Sequence, residues 1–351
     1  MDSRQRPFHA QHRGTPSGGS SSDSWLLPFV LALSLFLASL MILTGTILGG
    51  LDQPPPPLVP LRNAPVVAAA AQANVPQSAS ASSAPSTDSK PPKDLPSAVP
   101  SHYDPALQRA IEDAIGPDSG HLSVVVRRLT DGRTASVDGN RVFYAASTFK
   151  LAILYEAERR SSLGLLNLDD ELQFSADDVH EDLGTLGEVP FEADGGVTIR
   201  NALRAMITVS DNTSAVALLH HLGGATIDDT LRQLGLTATS VNTTDLPTTA
   251  SDMAILMEAI ASGRGVPVAA RAEMRALLLD QKTRFGIPQG LPTGIAVGNK
   301  TGTWEGATHD IAFVDAPGGA YVIAILSDQG WDWAPLVRVS KAVYAALLVT
   351  G

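Results

Sequence analysis

The spacing of apolar residues divides the chain into stretches of different character. From Trp25 to Leu51 the chain is almost continuously apolar and carries no charged residue. From residue 101 onward the pattern becomes periodic. Leu107, Ala110, Ile111 and Ala114 recur at helical spacing over 103–115, ahead of Gly116-Pro117. Residues 121–129 carry Leu122, Val124, Val125 and Val126 and predict a strand, turned by Asp131-Gly132 into a second strand over 134–137. Helical spacing then dominates over 147–161, 197–209, 214–222, 226–234, 249–261 and 267–279. The pattern returns to strands at 295–298, 310–314 and 321–326, and closes with a helix over 333–348. Strands at both ends, joined by short turns, predict an antiparallel sheet. Helices near the two ends are expected to cover it, with an all-helical lobe inserted between: an α+β architecture.

The run 25–51 is long enough to cross a bilayer, which needs about 20 apolar residues at 1.5 Å rise each. Arg4, Arg6 and Arg13 lie before it, whereas Asp52 and Arg62 are the charges nearest its far end. The positive-inside rule puts residues 1–24 in the cytoplasm as a polar tail, 25–51 across the membrane as an uncleaved single-pass anchor, and the remainder outside. Residues 52–100 hold 12 of the 24 prolines, interspersed with Ala and Ser, and read as an extended, solvated linker. Residues 101–351 are then one folded domain, expected to be monomeric.

Charge sharpens that division. The chain of 351 residues has a formal net charge of −11, and the acidity belongs to residues 101–351. A nucleic-acid partner is excluded on this ground, since phosphate binding needs a basic face. The absence of cysteine excludes a disulfide framework, a catalytic thiol and a zinc–thiolate site.

Three short motifs could carry chemistry. Ser147 and Lys150 are three apart at a predicted helix start, so amine and hydroxyl share a face. A serine hydroxyl is a weak nucleophile until a neighbour takes its proton, and a desolvated lysine is able to do so. An isolated S-x-x-K is most often a cap followed by an exposed lysine. Here it occurs once, behind the apolar flank 142–146, and Lys150 and Lys300 are two of only four lysines in the domain. Ser210-Asp211-Asn212 falls in the helical block and Lys300-Thr301-Gly302 in a late strand.

Taken in this order, the motifs resemble those of the class A β-lactamase group of serine penicillin-recognising enzymes, S-x-x-K, S-D-N and K-T-G. The resemblance spans 101–351, and includes the helix start 248–254 and the strand region 303–314. It implies a β-lactamase/transpeptidase-like fold and a hydrolase acting on a β-lactam or D-alanyl peptide-like substrate, with no cofactor and no metal. By resemblance, Ser147 is the acylated nucleophile, Lys150 its base and Ser210 a proton relay. Asn212, Lys300, Thr301, Gly302 and Thr303 would bind substrate, with the backbone N–H groups of Ser147 and Thr303 as oxyanion donors.

One feature of that group is missing. Its members hydrolyse the acyl-enzyme with a glutamate in an E-x-x-L-N loop. Here no Glu occurs between Asp194 and Met257, and the connection 235–247 is short for such a loop. Asp245 is the acid in that connection and the candidate for positioning water. Asp228 and Asp229 are expected to serve a helix N-terminus. The acidic run Asp177, Asp178, Glu181 and Asp182, with His180, is expected to be a solvated loop, and His220 and His221 helix-surface residues. Three functions follow: a β-lactam hydrolase working through acyl-Ser147, a D,D-peptidase or esterase of the same mechanism, and a sensor that acylates and turns over slowly.

Overall fold

The computed structural model describes residues 101–193 and 195–349. The tail, anchor and linker assigned to 1–24, 25–51 and 52–100 lie outside the described residues. No helix among the described residues is long and apolar enough to cross a membrane.

The elements, in chain order, are β1 (His102–Tyr103), α1 (Pro105–Ile115), β2 (Leu122–Arg128), β3 (Arg133–Val137) and β4 (Phe143–Tyr144). A 3-10 turn, Ala146–Phe149, leads into α2 (Lys150–Ser162). Next come β5 (Glu171–Leu172), α3 (Ala176–His180), β6 (Val197–Thr198), α4 (Ile199–Thr208), α5 (Asn212–Leu222) and α6 (Gly224–Leu234). The chain ends with β7 (Pro247–Thr248), α7 (Ala250–Ser262), α8 (Val268–Leu279), β8 (Ala296–Trp304), β9 (Ala307–Asp315), β10 (Tyr321–Ser327) and α9 (Ala334–Val349).

Six strands form one sheet in the order β1-β3-β2-β10-β9-β8. Every pairing in it is antiparallel except the short β1–β3 contact. Alternation along β10 explains why its sequence is an unbroken apolar run. Val322, Ala324 and Leu326 pack into the core shared with the helical block, while Tyr321, Ile323 and Ile325 pack against α1 and α9. A strand covered on both faces has no polar side to show. The α+β layering expected from the sequence is therefore the observed one.

Local signals set the helix ends. Asp104 caps α1, accepting from the N–H groups of Ala106 and Leu107, so the helix begins after residue 103 and not at it. Thr249 caps α7 by accepting from Asp252 N at 3.1 Å. Asp252 in turn accepts from Ala238 N and Thr239 Oγ1, both at 2.8 Å, which ties the 235–247 connection to the helix.

Two expectations are corrected. The acidic run near 177 is not simply a solvated loop. Ser175 and Asp178 form a reciprocal capping box that starts α3, and Asp178 is buried with Oδ1 2.9 Å from His220 Nδ1 on α5. His220 is thus a surface residue with an interhelical partner. Asp228 does not serve a helix N-terminus either: it lies one turn inside α6, buried, and accepts from Ser240 Oγ at 2.6 Å and Val241 N at 2.8 Å. It anchors the connection, where only the exposed Asp229 behaves as a helix-surface charge.

Candidate active site

Ser147 sits in the 3-10 turn, one residue after Ala146, whose φ is +43°. That left-handed conformation is strained for a residue with a Cβ, and the surroundings hold it in place. Thr148 Oγ1 donates to Ala145 O at 2.7 Å, and Thr148 N donates to the same carbonyl at 3.1 Å. Ala145 N donates to Leu246 O at 2.8 Å, so the 235–247 connection buttresses the turn from behind. The hydroxyl of Ser147 is half-exposed and has no protein partner among the described residues.

Lys150 opens α2, and its side chain is fully buried. Nζ donates to Ser210 O at 2.6 Å, to Asn212 Oδ1 at 2.6 Å and to Ser210 Oγ at 3.2 Å. Burial brings its pKa down to about 7, against an opposing pull from the Asp211 carboxylate. Lys300, from β8, is also fully buried, and its Nζ donates to Ser210 Oγ and to Thr301 O, each at 2.9 Å. Burial first and Lys150 second hold it well below the ordinary lysine range.

Two lysine amines thus converge on one hydroxyl. Ser210 has a φ of +63°, a second left-handed non-glycine position, and it is this backbone that presents both its carbonyl and its hydroxyl to Lys150. An hydroxyl oxygen has two lone pairs and one proton. With both lone pairs taken by lysine N–H donors, its proton is free to be given to a third group. Asp211 caps α5 through Ser214 N at 2.6 Å and accepts from Thr185 Oγ1 at 2.8 Å, fixing the turn. Asn212 commits its oxygen to Lys150, which leaves its NH2 as a donor.

β8 is the edge strand, so alternate backbone groups point away from β9. Gly302 is what lets that edge approach Ser147: a Cβ there would stand 3.0 Å from Ala145 O, 3.0 Å from Thr148 Cγ2 and 3.1 Å from Ser147 N. The N–H of Thr303, the next residue, and that of Ser147 therefore lie on two segments in direct contact. Two donors in such a relation are what an oxyanion hole requires. Thr301 is buried beside Lys300, with its carbonyl on Lys300 Nζ.

Asp245 is exposed and makes no hydrogen bond to these residues among those described. It is its neighbour Leu246, at φ +38°, that touches the segment carrying Ser147. His309 is fully buried opposite Gly302 and accepts from Ser327 N at Nδ1 (3.2 Å), so its proton is on Nε2, which donates to Tyr144 O at 2.9 Å. Burial lowers its pKa to about 4, so it is a neutral brace under the strand leading to Ser147.

Sequence reasoning missed Asp310 and Asn299. Asp310 is fully buried, accepts from Asn299 Nδ2 at 2.9 Å and from Ile287 N at 2.8 Å, and is pushed up to about 7 by burial. Asn299 also donates to Thr283 O at 3.2 Å. Together they fasten the segment before β8 to the strand that carries Lys300. The signal available was a polar Asn-Lys pair directly after the short apolar start of β8.

Known proteins resemble this chain in sequence and fold. The family model described as the beta-lactamase enzyme family matches residues 106–347. A beta-lactamase of Mycobacterium tuberculosis is 30% identical over 249 residues, covering 63% of this chain and 78% of that protein. Beta-lactamase AST-1 of Nocardia asteroides is 32% identical over 238 residues, covering 62% and 76%. Among solved structures, PBP-A matches with a TM-score of 0.65 at 26% identity, over 73% of this chain and all of that one. A variant of PBP-A captured as an acyl-enzyme complex with penicillin G matches with a TM-score of 0.65 over 71% and 99%, also at 26% identity. A double mutant of the class A beta-lactamase of the last common ancestor of Gram-negative bacteria matches with a TM-score of 0.62 at 29% identity, over 68% and 98%. With serine, two buried lysines and an edge strand converged in a fold these proteins have throughout, the chain belongs to the beta-lactamase enzyme family, as a serine beta-lactamase-like hydrolase.

Proposed function

We propose that the protein opens β-lactam amides through an acyl intermediate on Ser147. The observation that carries this reading is the convergence of Lys150 and Lys300 on the Ser210 hydroxyl, at 3.2 and 2.9 Å. Near neutral pH a substantial share of Lys150 is unprotonated, and this amine takes the Ser147 proton as Oγ attacks the lactam carbonyl carbon. The carbonyl oxygen becomes an oxyanion held by the N–H groups of Ser147 and Thr303, donors each worth about 2.7–4 kcal/mol in such sites. The C–N bond then breaks. Ser210 gives its proton to the departing nitrogen and is reprotonated from Lys150, so the base returns to its starting form. Lys300 and Thr301 receive the substrate carboxylate, and the Asn212 NH2 receives the carbonyl of its side-chain amide. Water attacking the ester carbon releases the opened product and restores Ser147.

Turnover of a chromogenic cephalosporin by the full-length chain tests these roles. Ser147→Ala and Lys150→Ala are each expected to lower kcat/KM by more than about a thousandfold, as loss of a nucleophile or its base does. Activity of Ser147→Ala within tenfold of the parent would refute the assignment.

A second reading has its own support. No Glu lies in the connection, and Asp245 is exposed, so the water of the last step has no evident strong base. The likeness to PBP-A, whose variant holds penicillin G as an acyl-enzyme, fits a D,D-peptidase or esterase that deacylates penicillin slowly. Faster cleavage of a D-alanyl-D-alanine peptide or a small thioester than of penicillin would select it; an adduct stable for hours with every substrate would select a sensor. In all three readings residues 25–51 anchor the chain in the cell membrane, with residues 1–24 cytoplasmic and the hydrolase outside. Resistance of the protein to carbonate extraction, with cleavage of residues 101–351 by protease added to spheroplasts, is the expected result.

A further inference from the structure

A second concavity lies in the helical block, apart from the Ser147 site. It is a cavity of about 330 Å³ enclosed by α2, α4 and α8, a volume at the small end of ligand pockets. Leu203, Ala276 and Leu277 supply an apolar wall. The polar lining is unusual. Glu158, on α2, is only 3% exposed. Its side-chain partner is a second carboxyl, that of Glu273 on α8, which requires a proton between the two. Burial, and Glu273 after it, hold the Glu158 carboxyl above the usual carboxylate range.

The nearby cations hydrogen-bond Glu273 and other acids, and Arg200 reaches Glu158 only through its charge. From α4, Arg200 binds Asp169 through Nε at 2.9 Å and Glu273 at 3.0 and 3.2 Å. Arg204, also on α4, binds Asp280 at 2.6 Å, and Asp280 is shared with Lys282. Each guanidinium in the lining is thus already matched by a carboxylate, and Glu158 is the acid left over. A buried carboxyl is stable only when neutral or when a cation meets it. A metal ion is a poor fit, since no group of three or more acidic or imidazole ligands occurs among the described residues. A small organic cation fits better. Its ammonium would donate to both carboxyls and its hydrocarbon body would lie on Leu203 and Leu277.

We propose that the α2–α4–α8 cavity is a binding site for a small organic ammonium ion, seated between Glu158 and Glu273. Binding exchanges the shared proton for the ligand: Glu158 loses its proton to solvent as the ammonium enters, so the charge in the cavity is conserved. The cavity also has a route to the catalytic elements, because α2 starts at Lys150 and α4 ends two residues before Ser210.

Titration calorimetry of the full-length chain with benzylammonium chloride tests the proposal, with benzyl alcohol as the neutral isostere. Benzylammonium is expected to bind at least tenfold more tightly than the alcohol. At pH 6 its binding should release close to one proton, counted from two buffers of different ionisation enthalpy, and the affinity should rise at least fivefold by pH 8.5. Glu158→Gln keeps the shape and removes the acid, and should lose both the tenfold preference and the proton release. Leu277→Trp fills the cavity and should abolish binding while Glu158 remains. Equal binding of alcohol and ammonium, or no binding of benzylammonium to the parent protein, overturns the proposal without any variant. Unchanged binding in a folded Glu158→Gln protein overturns it as well.

Discussion

A methyl group at residue 302 probes the contact on which the whole site depends. In Gly302→Ala the new Cβ would meet Ala145 O at 3.0 Å, Thr148 Cγ2 at 3.0 Å and Ser147 N at 3.1 Å. Two of these atoms belong to the backbone, and the third belongs to a side chain whose Oγ1 is fixed on Ala145 O at 2.7 Å. No side chain is available to swing away, so β8 and the Ser147 turn must separate by a few tenths of an ångström. Thr303 N–H moves with the strand and Ser147 N–H does not. Oxyanion donors act over 2.7–3.1 Å, and losing one outright costs about 2.7–4 kcal/mol. A partial loss of about 1.4–2 kcal/mol is expected here, which is roughly a ten- to thirtyfold slower acylation. Overpacking of this kind also costs about 1–3 kcal/mol of stability. Stopped-flow acylation by a chromogenic cephalosporin under single-turnover conditions reads the first effect, and urea denaturation the second. Acylation within twofold of the parent, together with unchanged stability, would refute the close approach of the edge strand to Ser147 and the oxyanion argument built on it.

Further expectations concern the titrating groups and the connection behind the site. Lys150, held near 7 by burial, must be neutral to act as a base, so acylation should rise with pH through about 7 and level off above it; a flat profile from pH 5 to 9 would contradict this. In Asp211→Asn the opposing carboxylate charge is removed while an acceptor remains for Ser214 N, so the same limb should move to lower pH, and a shift upward would have the wrong sign. His309, lowered to about 4, binds less proton folded than unfolded between about pH 4 and 6.5, so its contribution is present above that window and is lost as pH falls through it. Unfolding free energy should therefore fall less across that window in His309→Gln than in the parent, as read by urea titrations at each pH. Asp228→Ala orphans Ser240 Oγ and Val241 N, and should cost about 1–3 kcal/mol of stability, checked by the same titrations.

Much of the candidate site was legible because the residues that converge there fall in local motifs. Ser147 and Lys150 are one helical turn apart, Ser210 and Asn212 flank a cap, and Lys300 to Thr303 form a strand edge, so each group is recognisable without knowing the fold. The sheet was readable for a similar reason, since strands such as β10, buried on both faces, are apolar throughout. What escaped depends on partners distant in sequence. Asp178 looks solvated among its acidic neighbours until α5 brings His220 to it across 42 residues. Asp228 looks like a helix-end charge until the 240–241 backbone folds onto it. Asp310 and Asn299 sit in strands whose pairing alone decides that both are buried. The left-handed backbone at Ala146 and Ser210 is likewise imposed by tertiary contacts on residues that do not favour it.

The most direct test of the account is to mix the full-length chain with benzylpenicillin, quench at intervals from milliseconds to hours, and map the adduct by peptide mass spectrometry. The account predicts one penicilloyl group, on the peptide containing Ser147, forming faster at pH 8 than at pH 6 and absent from Ser147→Ala. Hydrolysed penicillin accumulating as that adduct turns over marks the β-lactam hydrolase reading, and a persistent adduct marks the slow-deacylating ones. No adduct at any time, or an adduct on another residue, would contradict the assignment of Ser147 as the nucleophile.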